Sequence, residues 1–218
     1  DLIHLGVSSE RLVVAPLGLT ALPEPPPRAV NEQSEDRYLL TVGETSPRKG
    51  YGVLLRALAR VDRDLRLVMV GPPAADEHRI LSLAAELGVS SRVQRQGAVT
   101  DVALARLYSG ALALCFPSIA EGFGLPVLEA MAAGAPVVVS DIPVMRELAG
   151  DAAVYVAGAS ERAWAEAIDA IASNPRLREK LMQAGQKRAA RFTWARTATA
   201  TLDAYRLALG TELGAPGR

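Results

Sequence analysis

Two glutamates with seven residues between them mark the segment of the sequence most able to do chemistry. The segment, residues 116–140, reads FPSIAEGFGLPVLEAMAAGAPVVVS and carries Glu121 and Glu129. An ionised carboxylate accepts several hydrogen bonds, so each glutamate suits the vicinal hydroxyls of a ribose or a hexose. Gly122 and Gly124 let the backbone approach a ligand closely, and N–H groups at the start of the following helix suit phosphates. The pattern therefore predicts a site for sugar hydroxyls joined by phosphates, although Glu129 alone would also fit a charge near a helix start.

A second candidate is the loop VGETSPRKG, which places Arg48 and Lys49 just before a helix. Basic side chains beside a helix amino terminus form a natural anion site. Taken alone, a solvated turn before a helix would explain this loop equally well.

Several other kinds of site are excluded or disfavoured by the sequence. It contains no G-x-G-x-x-G, no G-x-x-x-x-G-K-[ST] and no G-x-S-x-G, which argues against a dinucleotide-binding dehydrogenase, a P-loop nucleotidase and a serine hydrolase. His4 and His78 are interpreted as ordinary surface or half-buried residues. The Asp62-Arg63-Asp64 string precedes a predicted strand, at the edge of the sheet away from ligands, and is interpreted as a polar turn rather than a metal site.

Composition sets further limits. Lys+Arg and Asp+Glu both total 24 in 218 residues, so the charge gives no case for a nucleic-acid partner. The single cysteine, Cys115, excludes an internal disulfide and a cysteine-rich zinc site and suits a reducing cytoplasm. No apolar run approaches about 18 residues, so no membrane span is predicted. The chain starts at Asp1 without a leader, which predicts a piece of a longer protein.

The elements that must position these residues alternate between strands and helices. A helix end at residues 2–6, a strand within 10–16 and a stiff proline-rich linker, LPEPPP, are predicted first. Strands are predicted at 38–43, 65–71, 93–96, 111–116, 137–140 and 153–156. Helices are predicted at 51–61, 75–87, 101–109, 126–133 and 144–148, followed by three helices between 160 and 210 that break near Pro175 and Thr193.

Continuously apolar strands such as LVMV and PVVV indicate a parallel sheet that is covered on both faces, hence an α/β fold. Ligands of such sheets bind beyond the carboxyl ends of the strands. This rule selects the loops after Val42, Val70, Gln96 and Phe116, two of which carry the candidate residues.

The E-x7-E segment and several shorter motifs resemble those of a known family. The E-x7-E segment, with RLVVAPLG, VGETSPRKG, QGAVT, LYSGALAL, SDIPVMRELAGDAA and RFTWARTA in the same order, resembles the retaining GT-B glycosyltransferases of family four over nearly the whole chain. The family fold has two Rossmann-like lobes, and this chain resembles the carboxyl-terminal, donor-binding one. The resemblance implies a doubly wound parallel sheet with helices on both faces. It also implies a division into a preamble and linker (1–30), a nucleotide-sugar-binding domain (31–192) and a last helical segment (193–218) that packs toward the amino-terminal lobe.

The resemblance also implies roles for individual residues. Glu121 would contact the donor sugar, Glu129 the ribose hydroxyls, and Lys49 the diphosphate with Arg48 nearby, Glu121 and Lys49 being the catalytic pair. The remaining donor contacts would be the backbone of Gly122, Phe123, Gly124 and Leu125 and, around the base, Ala98 and Val99. Many relatives have arginine directly after the first-strand glycine, as a second phosphate contact, where this chain has Glu44. A carboxylate would repel a diphosphate, so either Glu44 turns away from the ligand or Arg48 makes the phosphate contact instead.

The implied function is transfer of a hexose, such as mannose or glucose, from a nucleotide-diphosphate sugar to an acceptor hydroxyl, with no metal and no cofactor. The expected partners are the donor and the amino-terminal, acceptor-binding lobe of the same enzyme. Residues 176–196 contain seven basic residues and one acidic residue, Glu179. This excess of positive charge allows a peripheral site at the inner face of the membrane, although a solvated helix face explains it better.

Two alternative functions stay open, a non-catalytic nucleotide-sugar-binding module and a GT-B phosphorylase or epimerase. The sequence leaves the donor base, the sugar and the acceptor undetermined.

Overall fold

The computed structural model describes residues 2–23, 38–61 and 64–210. Most of the predicted proline-rich linker, together with Asp62 and Arg63 of the D-x-D string, lies outside the described residues. The chain divides into two compact units, residues 21–189 and residues 1–20 with 190–218. The domain boundary predicted between residues 30 and 31 lies outside the described part, and the boundary between 192 and 193 stays a prediction.

The larger unit is built on a parallel sheet of six strands. These are β1 (Tyr38–Val42), β2 (Arg66–Val70), β3 (Val93–Gln96), β4 (Ala113–Phe116), β5 (Val137–Ser140) and β6 (Val154–Val156). Their order across the sheet is β3-β2-β1-β4-β5-β6, and every neighbouring pair is parallel. The order reverses between β1 and β4, so the loops that follow these two strands flank the crevice where such sheets bind ligands.

Helices cover the sheet in two groups. The helices are α1 (Tyr51–Leu58), α2 (Glu77–Glu86), α3 (Asp101–Gly110), α4 (Leu125–Ala132), α5 (Pro143–Ala149), α6 (Glu161–Ser173) and α7 (Pro175–Ala189). α1 packs against α2 and α6, whereas α4 packs against α3, α5 and α7. The predicted α/β class, the parallel sheet and the alternation of elements are confirmed.

The core owes its stability to strands that are apolar on both faces. β4 and β5 are buried at every position, as continuous ALCF and VVVS runs require in the centre of a covered sheet. Cys115 is fully buried in β4, and burial raises the pKa of its thiol to about 12, so the thiol stays protonated. Trp164, Ile168 and Ile171 bring one apolar face of α6 into the same core.

The smaller unit contains α8 (Trp194–Leu209) and the first residues of the chain. The indole N–H of Trp194 donates to the hydroxyl of Thr20 over 2.9 Å, and the hydroxyl of Thr197 donates to the carbonyl of Pro16 over 2.7 Å. The predicted last helix is therefore present, and its first turn is tied to the amino-terminal segment.

Residues 2–6 form turns with the hydrogen bonds of a helix C-terminus, from the N–H of Gly6 (φ 87°) to Ile3 over 2.9 Å and from the N–H of Val7 to Leu2 over 3.0 Å, in keeping with the predicted helix end. The strand predicted within residues 10–16 was wrong: Ser9–Arg11 is a short 3-10 helix, and residues 12–16 pair with no strand among the described residues. An apolar run alone does not make a strand when no neighbouring strand can pair with it.

Candidate functional site

Two adjacent loops at the carboxyl ends of β1 and β4 form the centre of the candidate site. The N–H of Ile119 donates to the carbonyl of Arg48 over 3.0 Å and joins the loops. Gly50 has φ of 66°, and a Cβ there would lie 2.3 Å from the carbonyl oxygen of Pro117. Glycine at position 50 therefore permits both the left-handed turn and the close approach of the two loops.

Lys49 and Glu121 meet across this junction. The Lys49 Nζ donates to Oε1 of Glu121 over 2.8 Å, and Arg48 Nη1 lies 2.8 Å from the same oxygen. Lys49 is 7% exposed, and its Nζ lies 4.8 Å from the centre of the Phe116 ring. Burial raises the pKa of the Glu121 carboxyl, but the hydrogen bonds from Lys49 and Arg48 and the charge of Lys49 are among the effects that outweigh it, so the pKa falls below its ordinary value. Glu121 is therefore ionised at neutral pH and already holds two cations.

Glu44, the residue that departs from the family pattern, is held by Arg48. Arg48 Nη2 lies 3.7 Å from Oε1 of Glu44, and Nη1 also donates to the carbonyl of Ala120 over 2.9 Å. Arg48 thus bridges Glu44 and Glu121, and Lys49 lies against Glu121.

Space for the Lys49 side chain depends on Gly43, the residue directly after β1. A Cβ at Gly43 would lie 3.0 Å from Cε of Lys49 and 3.0 Å from the hydroxyl of Tyr51, and the φ of 145° is one that side chains rarely adopt. The N–H of Gly43 donates to the carbonyl of Val70 over 2.8 Å, which connects this loop to the end of β2. The first-strand glycine therefore sets where the lysine lies.

Glu129 lies one turn into α4 in a different electrostatic setting. The hydroxyl of Tyr108, on α3, donates to Oε2 of Glu129 over 2.8 Å. Within the described part of the chain, no cation forms an ion pair with Glu129. Burial and, more weakly, the charge of Asp101 raise the pKa of the Glu129 carboxyl, and the Tyr108 hydrogen bond lowers it only in part. Its acceptor capacity thus remains open to neutral donors such as hydroxyls.

The backbone before α4 offers N–H groups to a ligand. Gly124 has φ of 104° and lies directly before the helix, whose second residue is Pro126. Proline has no N–H and the N–H of Val127 donates to the carbonyl of Gly124, so the free donors of this helix start belong to Leu125 and the preceding loop. In the described residues, the N–H groups of Gly122, Gly124 and Leu125 donate to no protein acceptor.

The predicted base-facing residues lie at the same sheet edge, two strands away from β1. Ala98 is exposed and Val99 is half-buried, and both follow Gly97 at the end of β3. The carbonyl of Gly97 accepts from the N–H of Gly71 over 3.2 Å, which links the ends of β2 and β3. Along the edge, the positions therefore run from Ala98 and Val99 through Lys49 to Glu121.

A buried threonine fixes the lysine-bearing loop to the neighbouring one. The hydroxyl of Thr45, which is 1% exposed, donates to Oε2 of Glu77 over 2.6 Å and accepts from the N–H of Ala74 over 2.7 Å. Arg95 Nε is 2.9 Å from the Glu77 carboxylate on its other side. Thr45, Glu77 and Arg95 therefore connect the loop after β1, the start of α2 and β3.

Replacing Thr45 by valine is expected to destabilise the chain by about 1–3 kcal/mol, because the isosteric side chain leaves the half-buried N–H of Ala74 without an acceptor and removes the hydrogen bond to Glu77. The free energy of unfolding from urea titration at pH 7 measures the effect. Thr199→Val is the matched control, since this exposed hydroxyl bonds only the carbonyl of Ala195 within its own helix, and it is expected to cost less than about 0.5 kcal/mol. Equal values for both variants would contradict the role of Thr45.

The structure brings Arg48, Lys49 and Glu121, which the sequence places in two separate loops, into contact. It also reveals two residues that the sequence analysis did not assign, Tyr108 and Thr45. A phenol on the buried side of α3 was the available signal for Tyr108, since a buried hydroxyl needs a partner.

The comparison with protein families then decides the class. Residues 26–188 match the model described as "Glycosyl transferases group 1". The chain belongs to this family. It resembles the "MMP alpha-(1->4)-mannosyltransferase" of Mycolicibacterium hassiacum, at 34% identity over 218 residues, 95% of this chain and 51% of that protein.

Solved glycosyltransferase structures share the fold of this group 1 domain. The sucrose-phosphate synthase of Thermosynechococcus elongatus superposes with a TM-score of 0.79 at 29% identity, covering 90% of this chain and 52% of that chain. The Anabaena protein HepE, in complex with UDP-glucose, superposes with a TM-score of 0.71 at 22% identity, covering 81% and 50%. The resemblance to a GT-B lobe is thus confirmed, and the chain spans about half the length of the relatives it matches.

Two kinds of feature are absent from the described part of the chain, a cluster of metal ligands and a membrane-spanning helix. Among residues 2–23, 38–61 and 64–210, no three His, Cys, Asp or Glu side chains cluster in a way that could hold a metal ion. In the same residues, no helix combines the length and apolar character needed to cross a bilayer.

Proposed function

We propose that this chain binds a nucleotide-diphosphate sugar and forms the donor-binding part of a retaining, metal-independent hexosyltransferase. The observation that carries the proposal is the junction of the β1 and β4 loops, where Lys49 and Glu121 meet beside unpaired backbone N–H groups. The acceptor-binding part would belong to the rest of the enzyme, in keeping with the half-length match to the relatives.

The charges around the two glutamates support a division of labour. Lys49 supplies the cation for the diphosphate, and the N–H groups of Gly122, Gly124 and Leu125 add neutral donors. Glu121, next to this cation, would accept from hydroxyls of the sugar. Glu129 has no cation, so it suits the two neutral hydroxyls of the ribose.

The chemistry asked of this site is the departure of a diphosphate. The bond between the anomeric carbon and the diphosphate oxygen breaks and its electron pair goes to the diphosphate. The acceptor oxygen bonds the same carbon and gives its proton to the departing diphosphate. Negative charge develops on the leaving group, where Lys49 and the backbone N–H groups are positioned to stabilise it electrostatically. A hexose donor is supported by the names of the relatives, one a mannosyltransferase and one a complex with UDP-glucose.

The basic residues in 176–196 bear on whether the protein works at the inner face of a membrane. Of the seven basic residues in 176–196, Arg178 binds the carbonyls of Ile171 and Ala172, and Arg188 binds that of Leu148. These guanidinium groups hold backbone within the larger unit, which leaves fewer cations for anionic lipid.

The test is a binding screen by calorimetry against UDP-glucose, GDP-mannose and ADP-glucose, each with and without EDTA. We expect one of them to bind, and to bind equally well in the chelator, because Lys49 and the N–H groups supply the positive field. Thermal stabilisation by the same compound gives an independent readout. Binding of none of the three would refute the proposal, and an affinity that requires magnesium or manganese would refute its metal-independent form.

A further inference from the structure

The hydroxyl of Tyr108 is placed to orient one of the two glutamates. Tyr108 is completely buried on α3, and its hydroxyl donates to Oε2 of Glu129, 21 residues further along the chain on α4. Burial and the neighbouring Glu129 raise the pKa of the phenol well above 10, so the hydroxyl keeps its proton and always acts as the donor. The carboxylate of Glu129 therefore has a hydrogen-bond donor that is itself shielded from water.

The two glutamates differ in the partners that orient their carboxylates. Glu121 is oriented by Lys49 and Arg48, whereas Glu129 has no ion pair in the described residues and protrudes from a helix into a half-buried position. A glutamate side chain has several rotatable bonds, and a carboxylate without a partner would sample several rotamers. Orientation of Glu129 must come from the phenol.

We propose that Tyr108 is a positioning residue of the donor site, holding Oε2 of Glu129 so that Oε1 faces the ligand as a fixed acceptor for vicinal hydroxyls. This inference rests on the proposed function for the identity of the ligand. The contact between Tyr108 and Glu129 itself does not depend on that function.

The same contact tunes the acidity of Glu129. Of the elements packed against α4, α3 supplies the two groups that act on this carboxyl: Tyr108 lowers its pKa and Asp101 raises it. β4 and β5 carry no charged side chain, and none of the charged groups of α5 and α7 is among the causes of the shift of this pKa: Arg146, Glu147, Arg176, Arg178, Glu179, Lys180, Lys187 and Arg188. Removing the phenol hydroxyl therefore raises the pKa of Glu129.

Tyr108→Phe is the direct test. We expect the affinity for the nucleotide sugar that binds in the screen to fall about tenfold at pH 7, since a hydrogen bond to a charged group is lost. Donor binding requires ionised Glu129 and is lost as the pH falls through its pKa. The acid midpoint of binding is therefore expected at a higher pH in Tyr108→Phe than in the unaltered chain.

Two further variants separate positioning from a general loss of stability. Tyr155→Phe is the matched control: it removes a phenol that donates to the carbonyl of Gly150, directly after α5, rather than to Glu129, and should change donor affinity less than twofold. In a Glu129→Gln background, Tyr108→Phe should also add less than twofold, because the two residues act as one unit.

The outcomes are distinguishable. The pKa of Glu129, measured by carbon NMR without ligand, should rise in Tyr108→Phe; an unchanged pKa would overturn the inference whatever binds. If no nucleotide sugar binds the unaltered chain, the proposed function fails, and the NMR titration still decides the role of Tyr108. Should Tyr108→Phe not fold, Glu129→Asp withdraws the carboxylate by one methylene from the intact phenol. Unweakened donor binding by Glu129→Asp would likewise overturn the positioning role.

Discussion

Replacing Lys49 by methionine is expected to weaken nucleotide-sugar binding about a hundredfold, or ~3 kcal/mol. The ammonium group is the buried cation of the site, and methionine keeps most of the side-chain volume while removing the charge. Charge-assisted hydrogen bonds to phosphate are worth more than neutral ones, and the low exposure limits screening by water. Calorimetry with the nucleotide sugar, and with the bare nucleoside diphosphate, measures the effect.

Both ligands should lose affinity to a similar extent, because the lysine is proposed to act on the diphosphate that they share. Lys180→Met is the matched control, since Lys180 is an exposed lysine on α7, and it should bind both ligands as the unaltered chain does. A Lys49→Met variant that binds the nucleoside diphosphate normally would place the phosphates elsewhere.

The two glutamates are expected to respond differently to alanine. Glu129→Ala should weaken the bare nucleoside diphosphate and the nucleotide sugar alike, by about 1.5–3 kcal/mol, because it removes a charged acceptor from the ribose. Glu121→Ala should weaken the nucleotide sugar alone. It removes the carboxylate that now holds Lys49 and Arg48, so the bare nucleoside diphosphate should bind equally well or more tightly.

For each variant, the affinity for the nucleotide sugar is divided by the affinity for the bare nucleoside diphosphate, and this ratio is compared with that of the unaltered chain. Glu86→Ala controls for the removal of an exposed carboxylate at the end of α2, away from the candidate site, and should leave the ratio unchanged. If Glu121→Ala and Glu129→Ala damage both ligands equally, the division of roles between sugar and ribose is wrong.

The sequence predicted most of the larger unit, because its elements carry strong local patterns. The VVVS strand at 137–140 is buried at every position and was located to within two residues, as were α2 and α3. Helix α1 ended earlier than predicted, at Leu58. The amino-terminal RLVV run has the same composition as a strand, but pairing depends on a neighbouring strand that no local pattern specifies.

Individual residues of the candidate site could be predicted from the sequence, but the side-chain contacts between them could not. Lys49 and Glu121 could be assigned from their loops, and the order of β1 and β4 in the sheet explains why they meet. That Arg48 would also hold Glu44 depends on side-chain geometry, which spacing does not contain. The phenol of Tyr108 could not be paired with Glu129 from sequence, since their contact joins two helices packed together.

The charges that meet at Glu121 have a consequence for how fast a ligand arrives. Lys49 and Arg48 carry two positive charges, and Glu121 and Glu44 carry two negative ones, so the cluster is neutral when viewed from beyond the Debye length of roughly 8–10 Å. A neutral cluster exerts little long-range steering on an anionic nucleotide, and the encounter rate should therefore change little with ionic strength. A neutral cluster does not raise the local concentration of inorganic phosphate or other cellular anions. The site therefore distinguishes a nucleotide diphosphate from other anions only at contact distance, where Lys49 can exchange the Glu121 carboxylate for a diphosphate of the right shape.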